Sequence, residues 1–142
     1  MQISINRVDK TLPMPKYESK GAVCFDFITR QKTAIAKKSI GLIPGNVIVQ
    51  IPKGYALLVV PRSSTPRKKD LFIPHGIGII DNDYCGPCDE IQIQVYNNSR
   101  KTVIIERGER IAQGLFVKID YAKFKEVKTN KKSSRGGFGS TQ

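Results

Sequence analysis

Three observations predict an all-β chain with a jelly-roll architecture. Helical periodicity is nearly absent from the sequence. Short runs rich in β-branched residues recur at roughly ten-residue spacing, the pattern of a sandwich or barrel. Gly, Pro, Asn or Lys bounds each of these runs, so none extends far enough to read as a long helix.

In chain order the expected strands are Ile3–Val8, Val23–Thr29, Ala34–Ala36, Val47–Ile51, Ala56–Val60, Gly76–Ile80, Ile91–Tyr96, Lys101–Ile105 and Leu115–Ile119. Pro13, Pro15, Pro44-Gly45, Pro52-Lys-Gly54, Pro61, Pro66 and Pro74 punctuate them. One helix of a turn or two is expected around Thr65–Asp70. The stretch Gly78-Ile-Ile-Asp81-Asn-Asp-Tyr84-Cys-Gly86 organises the rest. Ile79 and Ile80 suit a strand, Asn82-Asp83 suits a tight turn, and the alternation Ile91-Gln-Ile-Gln-Val95 suits a returning strand. Together they predict a β-hairpin with Asp81 and Tyr84 at its mouth. Four acids (Asp81, Asp83, Asp89, Glu90) crowd this region of a chain with only 12 acids and a net charge of +12, which marks it as a candidate ligand site.

A chain of 142 residues is long enough for one domain with its own core, without disulfides. No apolar run is long enough to span a membrane, and Met1-Gln-Ile-Ser-Ile lacks the layout of a signal peptide. A cytoplasmic protein is expected. The 24 Lys and Arg imply attraction to polyanions, either nucleic acid or nucleotide phosphates, and the absence of Trp argues against a platform that stacks successive bases. Residues 1–120 form the expected β domain. Residues 121–142 form a basic arm, with Lys123, Lys125, Lys128, Lys131, Lys132 and Arg135 leading into Gly136-Gly-Phe138-Gly-Ser-Thr-Gln142. It has too little apolar content for a core of its own, yet Phe138 has no use in a mere linker.

Cys85-Gly-Pro-Cys88 has the literal sequence of a thioredoxin-type site. That chemistry needs a helix N-terminus at the first Cys, whereas a strand-like alternation and two acids follow here. Zinc held by Cys24, His75, Cys85 and Cys88 lacks a second closely spaced ligand pair. Two reduced thiols in a turn remain the simpler reading. Arg62-Ser63-Ser64-Thr65, at the end of an apolar strand, sets a guanidinium beside two hydroxyls as an oxyanion cradle. Gln113, after Arg107-Gly-Glu109-Arg110, either reaches a phosphate or closes a strand end. Arg135-Gly-Gly-Phe-Gly-Ser-Thr141 offers unobstructed backbone donors and two hydroxyls, without the Gly-Lys-Ser/Thr and helix of a Walker loop.

In their order these segments resemble the five motifs of the all-β, homotrimeric dUTP nucleotidohydrolases (dUTP diphosphatases), across nearly the whole chain. The motifs are Gly21-Ala-Val-Cys-Phe-Asp26-Phe, Arg62-Ser-Ser-Thr-Pro-Arg-Lys68, Gly78–Gly86, Arg107-Gly-Glu-Arg-Ile-Ala-Gln113-Gly-Leu-Phe116 and Gly136-Gly-Phe-Gly-Ser-Thr141. The resemblance implies hydrolysis of dUTP to dUMP and diphosphate, which limits uracil in DNA and supplies dUMP for dTMP synthesis. It implies that Asp81 deprotonates the water attacking the α-phosphorus, and that Tyr84 packs under the deoxyribose and refuses a 2′-hydroxyl. It also implies that main-chain groups of Gly78, Ile79 and Ile80 and the strand near Gln92 read uracil. Arg62, Ser63, Ser64 and Gln113 would hold the phosphate chain, and Asp26 would touch a phosphate-bound Mg2+ through water. From a different subunit of the trimer, Phe138 and Gly139 would cover the base while Arg135, Ser140 and Thr141 reach the γ-phosphate. The trimer would thus have shared active sites closed by exchanged arms.

The chain departs from the family at Val23-Cys24, where Ala-Gly is usual, and at Ser133, where the tail arginine is usual. Arg135, or Lys131 or Lys132, would then serve instead. His75 lies where some members place an Asn near the base, and Pro87-Cys88-Asp89 lengthens the turn after Tyr84. The rivals are a dCTP deaminase or bifunctional enzyme of the same fold, and a non-catalytic β module for nucleotide or nucleic acid. The first needs an additional acid near the base, for which no candidate stands out. No specific nucleic acid partner and no membrane partner is expected.

Overall fold

The computed structural model of the protein describes residues 1–129, 133–134 and 136–137. The expectations placed on Arg135, Phe138, Gly139, Ser140 and Thr141 lie outside the described residues, as do Lys131 and Lys132. In chain order the elements are β1 (Ser4–Arg7), β2 (Phe25–Asp26), β3 (Thr33–Ile35), β4 (Ile40–Pro44), β5 (Val47–Gln50), β6 (Tyr55–Pro61), α1 (Thr65–Lys69), β7 (Leu71–Phe72), β8 (Gly78–Ile80), β9 (Gln92–Asn97), β10 (Val103–Ile105) and β11 (Ala112–Lys118). All pairings are antiparallel. One sheet has the order β2-β11-β6-β8, a second β4-β9-β7, and two ladders join β1 to β5 and β3 to β10.

The expected all-β fold and its one short helix are present. Alternation fixes which way each strand faces: in β9, Ile93, Val95 and Asn97 are buried, whereas Gln92, Gln94 and Tyr96 are partly exposed. The inward residues meet Phe27, Ile35, Ile43, Leu57, Leu71 and Ile105 in one continuous core. Asn97 is fully buried among them, and its amide donates to the carbonyls of Ile35, Ala36 and Lys101 at 2.8–3.1 Å. A buried amide so satisfied fixes the geometry of three chain segments at once.

Two strands escape sequence reading. β4 contains Gly41 and ends on Pro44, residues that normally break a strand, yet as an edge strand it tolerates both. β7 is two residues long and carries no readable period. The expected strand Val23–Thr29 shrinks to Phe25–Asp26, and Val23 is exposed.

The expected hairpin is not formed. β8 pairs with β6, through Leu57↔Ile80 and Val59↔Gly78, and β9 pairs with β4 and β7 in the other sheet. The tight turn itself is present, since the Tyr84 amide donates to the Asp81 carbonyl at 3.3 Å, but a second turn from Gly86 to Asp89 follows at 3.1 Å. The longer excursion carries the chain from one sheet to the other instead of returning it alongside β8.

Gly114 of β11 is set against Phe25, and a Cβ there would lie 2.4 Å from the ring. Phe25 also stacks on Phe116 and meets Phe27 edge-on, so the ring has no free direction. Gly114→Ala is expected to destabilise the protein by about 1–3 kcal/mol, read as a lower midpoint of thermal or denaturant unfolding; an unchanged midpoint would show the ring to be displaceable.

Candidate active site

The four-stranded sheet collects three of the motif residues at one end. Asp26 of β2 is in register with Gln113 of β11, which is itself paired with Val60 of β6, and Arg62 follows directly on that strand. The Asp26 carboxylate is buried. Its Oδ1 forms an ion pair with Arg62 Nε at 3.0 Å, while Arg110 Nη1 stands 3.5 Å from Oδ2. Arg62 is further held by donating to the Arg110 carbonyl at 3.2 Å, and Gln113 donates to the Pro61 carbonyl at 3.3 Å. Ser63 is exposed and Ser64 half-buried before α1, and Ser64 makes no side-chain capping bond. Their hydroxyls and the guanidinium make this end a cationic, hydroxyl-bearing cradle suited to phosphate oxygens. A cavity of about 310 Å3 opens beside it, bordered by Asp26, Arg110, Lys16 and Glu18.

The other part of the site lies where the two sheets part. β8 is an edge strand, and β9 pairs along its length with β4 but with β7 only at Tyr96 and Asn97. Each strand therefore keeps a stretch of backbone with no ladder partner among the described residues. Both line one cleft of about 310 Å3, with Gly78, Ile79 and Ile80 on one side and Gln92 and Gln94 on the other, and His75, Leu42, Val59 and Ile73 completing the wall. Gly78 sits there because a Cβ would come within 3.1 Å of Val59. Asp81 continues from β8 and is exposed. Tyr84 is anchored by its hydroxyl on the Glu90 carbonyl at 3.3 Å, an acceptor shared with the Gln92 side-chain amide at 3.4 Å. Glu90 is in turn locked by Arg30 and by the Asn46 amide, each at 2.9 Å.

These two parts stand at opposite ends of one sheet. The Leu57↔Ile80 pair puts Asp81 level with Ala56, whereas Arg62 lies beyond the far end of β6. At about 3.3 Å per residue that is roughly 20 Å of strand. The structure thus brings together Asp26, Arg62 and Gln113 in one place, and His75, Gly78, Ile79, Ile80 and Gln92 in another, with Asp81 and Tyr84 on the loop that leaves β8. One chain does not bring both groups to one phosphate.

Sequence reading passed over Arg110 and Gln94 as site residues. Arg110 is seen to matter only through its approach to Asp26, and Gln94 only through its place two residues beyond Gln92 on the same face of β9. Cys85 lies in the loop between β8 and β9, with its thiol 3.6 Å from the Asn82 carbonyl, and no helix among the described residues begins there.

For a divalent cation, the telling observation is Asp26 Oδ2, a buried oxygen with no hydrogen-bond partner among the described residues. No group of three or more His, Cys, Asp or Glu side chains among those residues converges as a ligand set. A lone carboxylate with a spare oxygen fits outer-shell contact to a hydrated cation carried in on phosphate oxygens, not a protein-built cage.

The family model dUTPase matches residues 10–142. A Deoxyuridine 5'-triphosphate nucleotidohydrolase from Helicobacter pylori (strain P12) is 34% identical over 143 residues, covering 99% of this chain and 97% of that protein. The crystal structure of a dUTPase from Streptococcus mutans superposes with a TM-score of 0.79 at 32% identity, over 87% of this chain and 100% of that one. A mutant dUTPase from phage phi11 of S. aureus, whose structure reveals the coordination of a structural Mg(II) ion, shares the fold with a TM-score of 0.81 at 22% identity, covering 91% and 98% of the two chains. With a family model matched over residues 10–142 and a relative 34% identical along almost the full length, the chain belongs to the dUTPase family.

Proposed function

We propose that this protein hydrolyses dUTP to dUMP and diphosphate at sites assembled between subunits of a homotrimer. The observation that carries this reading is the separation of the base cleft from the phosphate cradle on a sheet of a family member. A water-activating carboxylate and a phosphate-binding guanidinium must act within hydrogen-bond reach of one phosphate chain. Since Asp81 and Arg62 of one chain are held far apart by β6, a working site takes them from different copies. Tyr121, Phe124 and Val127 support association as well, because all three are exposed beyond β11 and such apolar side chains gain by burial on a neighbour.

Uracil presents an acceptor-donor-acceptor edge. The unpaired backbone of β8 and β9 supplies fixed donors and acceptors in matching alternation, and cytosine would leave buried groups unsatisfied. Tyr84, held by the Glu90 carbonyl, forms the floor for a deoxyribose. Asp81 takes the proton of the attacking water. Arg62, Ser63, Ser64 and Gln113 of the other copy bind the phosphates and stabilise charge developing on the leaving diphosphate. Asp26 would hold Mg2+ through water, and the cation, when bound, neutralises phosphate oxygens. Phe138, with Gly139, Arg135, Ser140 and Thr141, would close over the nucleotide from an exchanged arm.

Diphosphate release should be rapid with dUTP and slow with UTP, dTTP and dCTP, and should fall when magnesium is chelated; equal rates with UTP would remove Tyr84 from selection. Asp81→Asn is expected to keep dUTP binding and lose about a hundredfold or more in kcat. Asp81→Asn chains unfolded and refolded together with Arg62→Gln chains should recover activity that neither variant has alone, because mixed trimers contain sites with both native residues. No recovery despite mixed assembly would place both residues of a site on one chain. Removing residues from Arg135 onward should leave the fold intact and cut turnover; full activity in that variant would take the arm out of catalysis.

A further inference from the structure

Away from the two parts of the site, three loops converge on the end of the barrel held by Asn97. Besides its three side-chain donations, Asn97 takes the Ser39 carbonyl through its own amide, and the Asn98 amide donates to the Asp70 carbonyl, both at 2.9 Å. Lys38 Nζ donates to the Asn98 carbonyl and side chain at 2.6 and 3.0 Å. The loop after β3, the end of α1 and the β9–β10 loop are thereby fixed side by side. They carry Lys37, Lys38, Arg67, Lys68, Arg100 and Lys101, all exposed. None of these six enters an ion pair among the described residues. The neighbouring Lys69 is held by Glu109 at 2.8 Å, so Asp70 is the local acid left facing six cations. Between the loops runs an open cleft of about 330 Å3, with Ser99 and Thr102 in its wall beside Lys68 and Lys101.

Of these six cations only Arg67 and Lys68 fall within one of the five motifs, and the dUTP reading gives a role to none of the six. Cations concentrated on one face oppose their own folding by mutual repulsion, and no ion pair among the described residues relieves it for these six. Lysines and arginines with hydroxyls between them are the groups that grip phosphodiester oxygens. Their spread over three loops suits a chain of phosphates rather than a single small anion. We propose that this face binds the sugar-phosphate backbone of nucleic acid without sequence preference, separately from the nucleotide site.

The test is fluorescence anisotropy of a labelled mixed-sequence single-stranded oligonucleotide with the full-length protein across a salt series. Lys37→Gln/Arg100→Gln/Lys101→Gln is compared with wild type and with the charge-preserving Lys37→Arg/Arg100→Lys/Lys101→Arg. The neutralised protein should bind more weakly, and its slope of log affinity against log salt should fall by about two, since each lost phosphate contact removes about 0.7 for a single strand. The charge-preserving variant should bind like wild type, and both should turn over dUTP at the wild-type rate, which also shows them folded. The inference is overturned if the neutralised protein keeps the wild-type slope. It is equally overturned if removing the basic arm from residue 130 onward abolishes binding, or if poly-glutamate competes as well as the oligonucleotide, which would mark an acidic protein as the partner. Should the triple variant lose dUTP turnover, Lys101→Gln and Arg100→Gln taken singly give the same readout, with a slope change of about 0.7 each. Loss of dUTP turnover in wild type would count against the enzyme reading and leave this binding result standing.

Discussion

A backbone amide or carbonyl on a strand edge must find a hydrogen-bond partner, and in this protein two such edges are kept apart. β8 is satisfied on one side by β6 and β9 by β4, while their other edges border a shared cleft. The double turn from Asp81 to Asp89 carries the chain between sheets and so prevents the closure that a tight hairpin would give. An unpaired edge is ordinarily a liability for a β protein. Under the proposed function it serves as a row of fixed donors and acceptors, which is what reading a pyrimidine edge demands. The ion pair of buried Glu90 with half-buried Arg30 sits behind this arrangement and fixes where the loop ends.

The length of β6 sets the second constraint. It joins the cleft at one end to the Asp26–Arg62–Arg110 cluster at the other, and the distance between them makes a single copy insufficient for the proposed chemistry. Under the proposed function, association of subunits is part of catalysis, because it would complete the site as well as cover apolar surface. Asp26 fits the same picture: Oδ1 is ion-paired with Arg62, while Oδ2 has Arg110 at 3.5 Å but no hydrogen-bond partner among the described residues, which leaves it able to meet a hydrated cation.

The features legible in the sequence were those with a local signature. Alternation in Ile91–Tyr96 marks β9, and the short helix expected around Thr65–Asp70 is present as α1. Features decided by non-local pairing were not legible. Ile79–Ile80 followed by Ile91–Val95 reads as a hairpin because nothing in the string tells β8 that β6 is its better partner. The same limit hid β4, whose Gly41 and Pro44 are harmless only at an edge, and Arg110, whose approach to Asp26 crosses most of the chain. The opposite-end placement of Asp81 and Arg62 is likewise a matter of register, which composition and motif order do not encode.

The claim on which most depends is that uracil is read by the backbone of β8 and β9. Amide hydrogen exchange, followed residue by residue with and without a non-hydrolysable imido analogue of dUTP, tests it directly. The expected result is slowed exchange for amides within Gly78–Ile80 and Gln92–Val95, and none of that protection with the corresponding UTP analogue. Protection confined to other regions, with both edges exchanging as in the free protein while the analogue is bound, would contradict it.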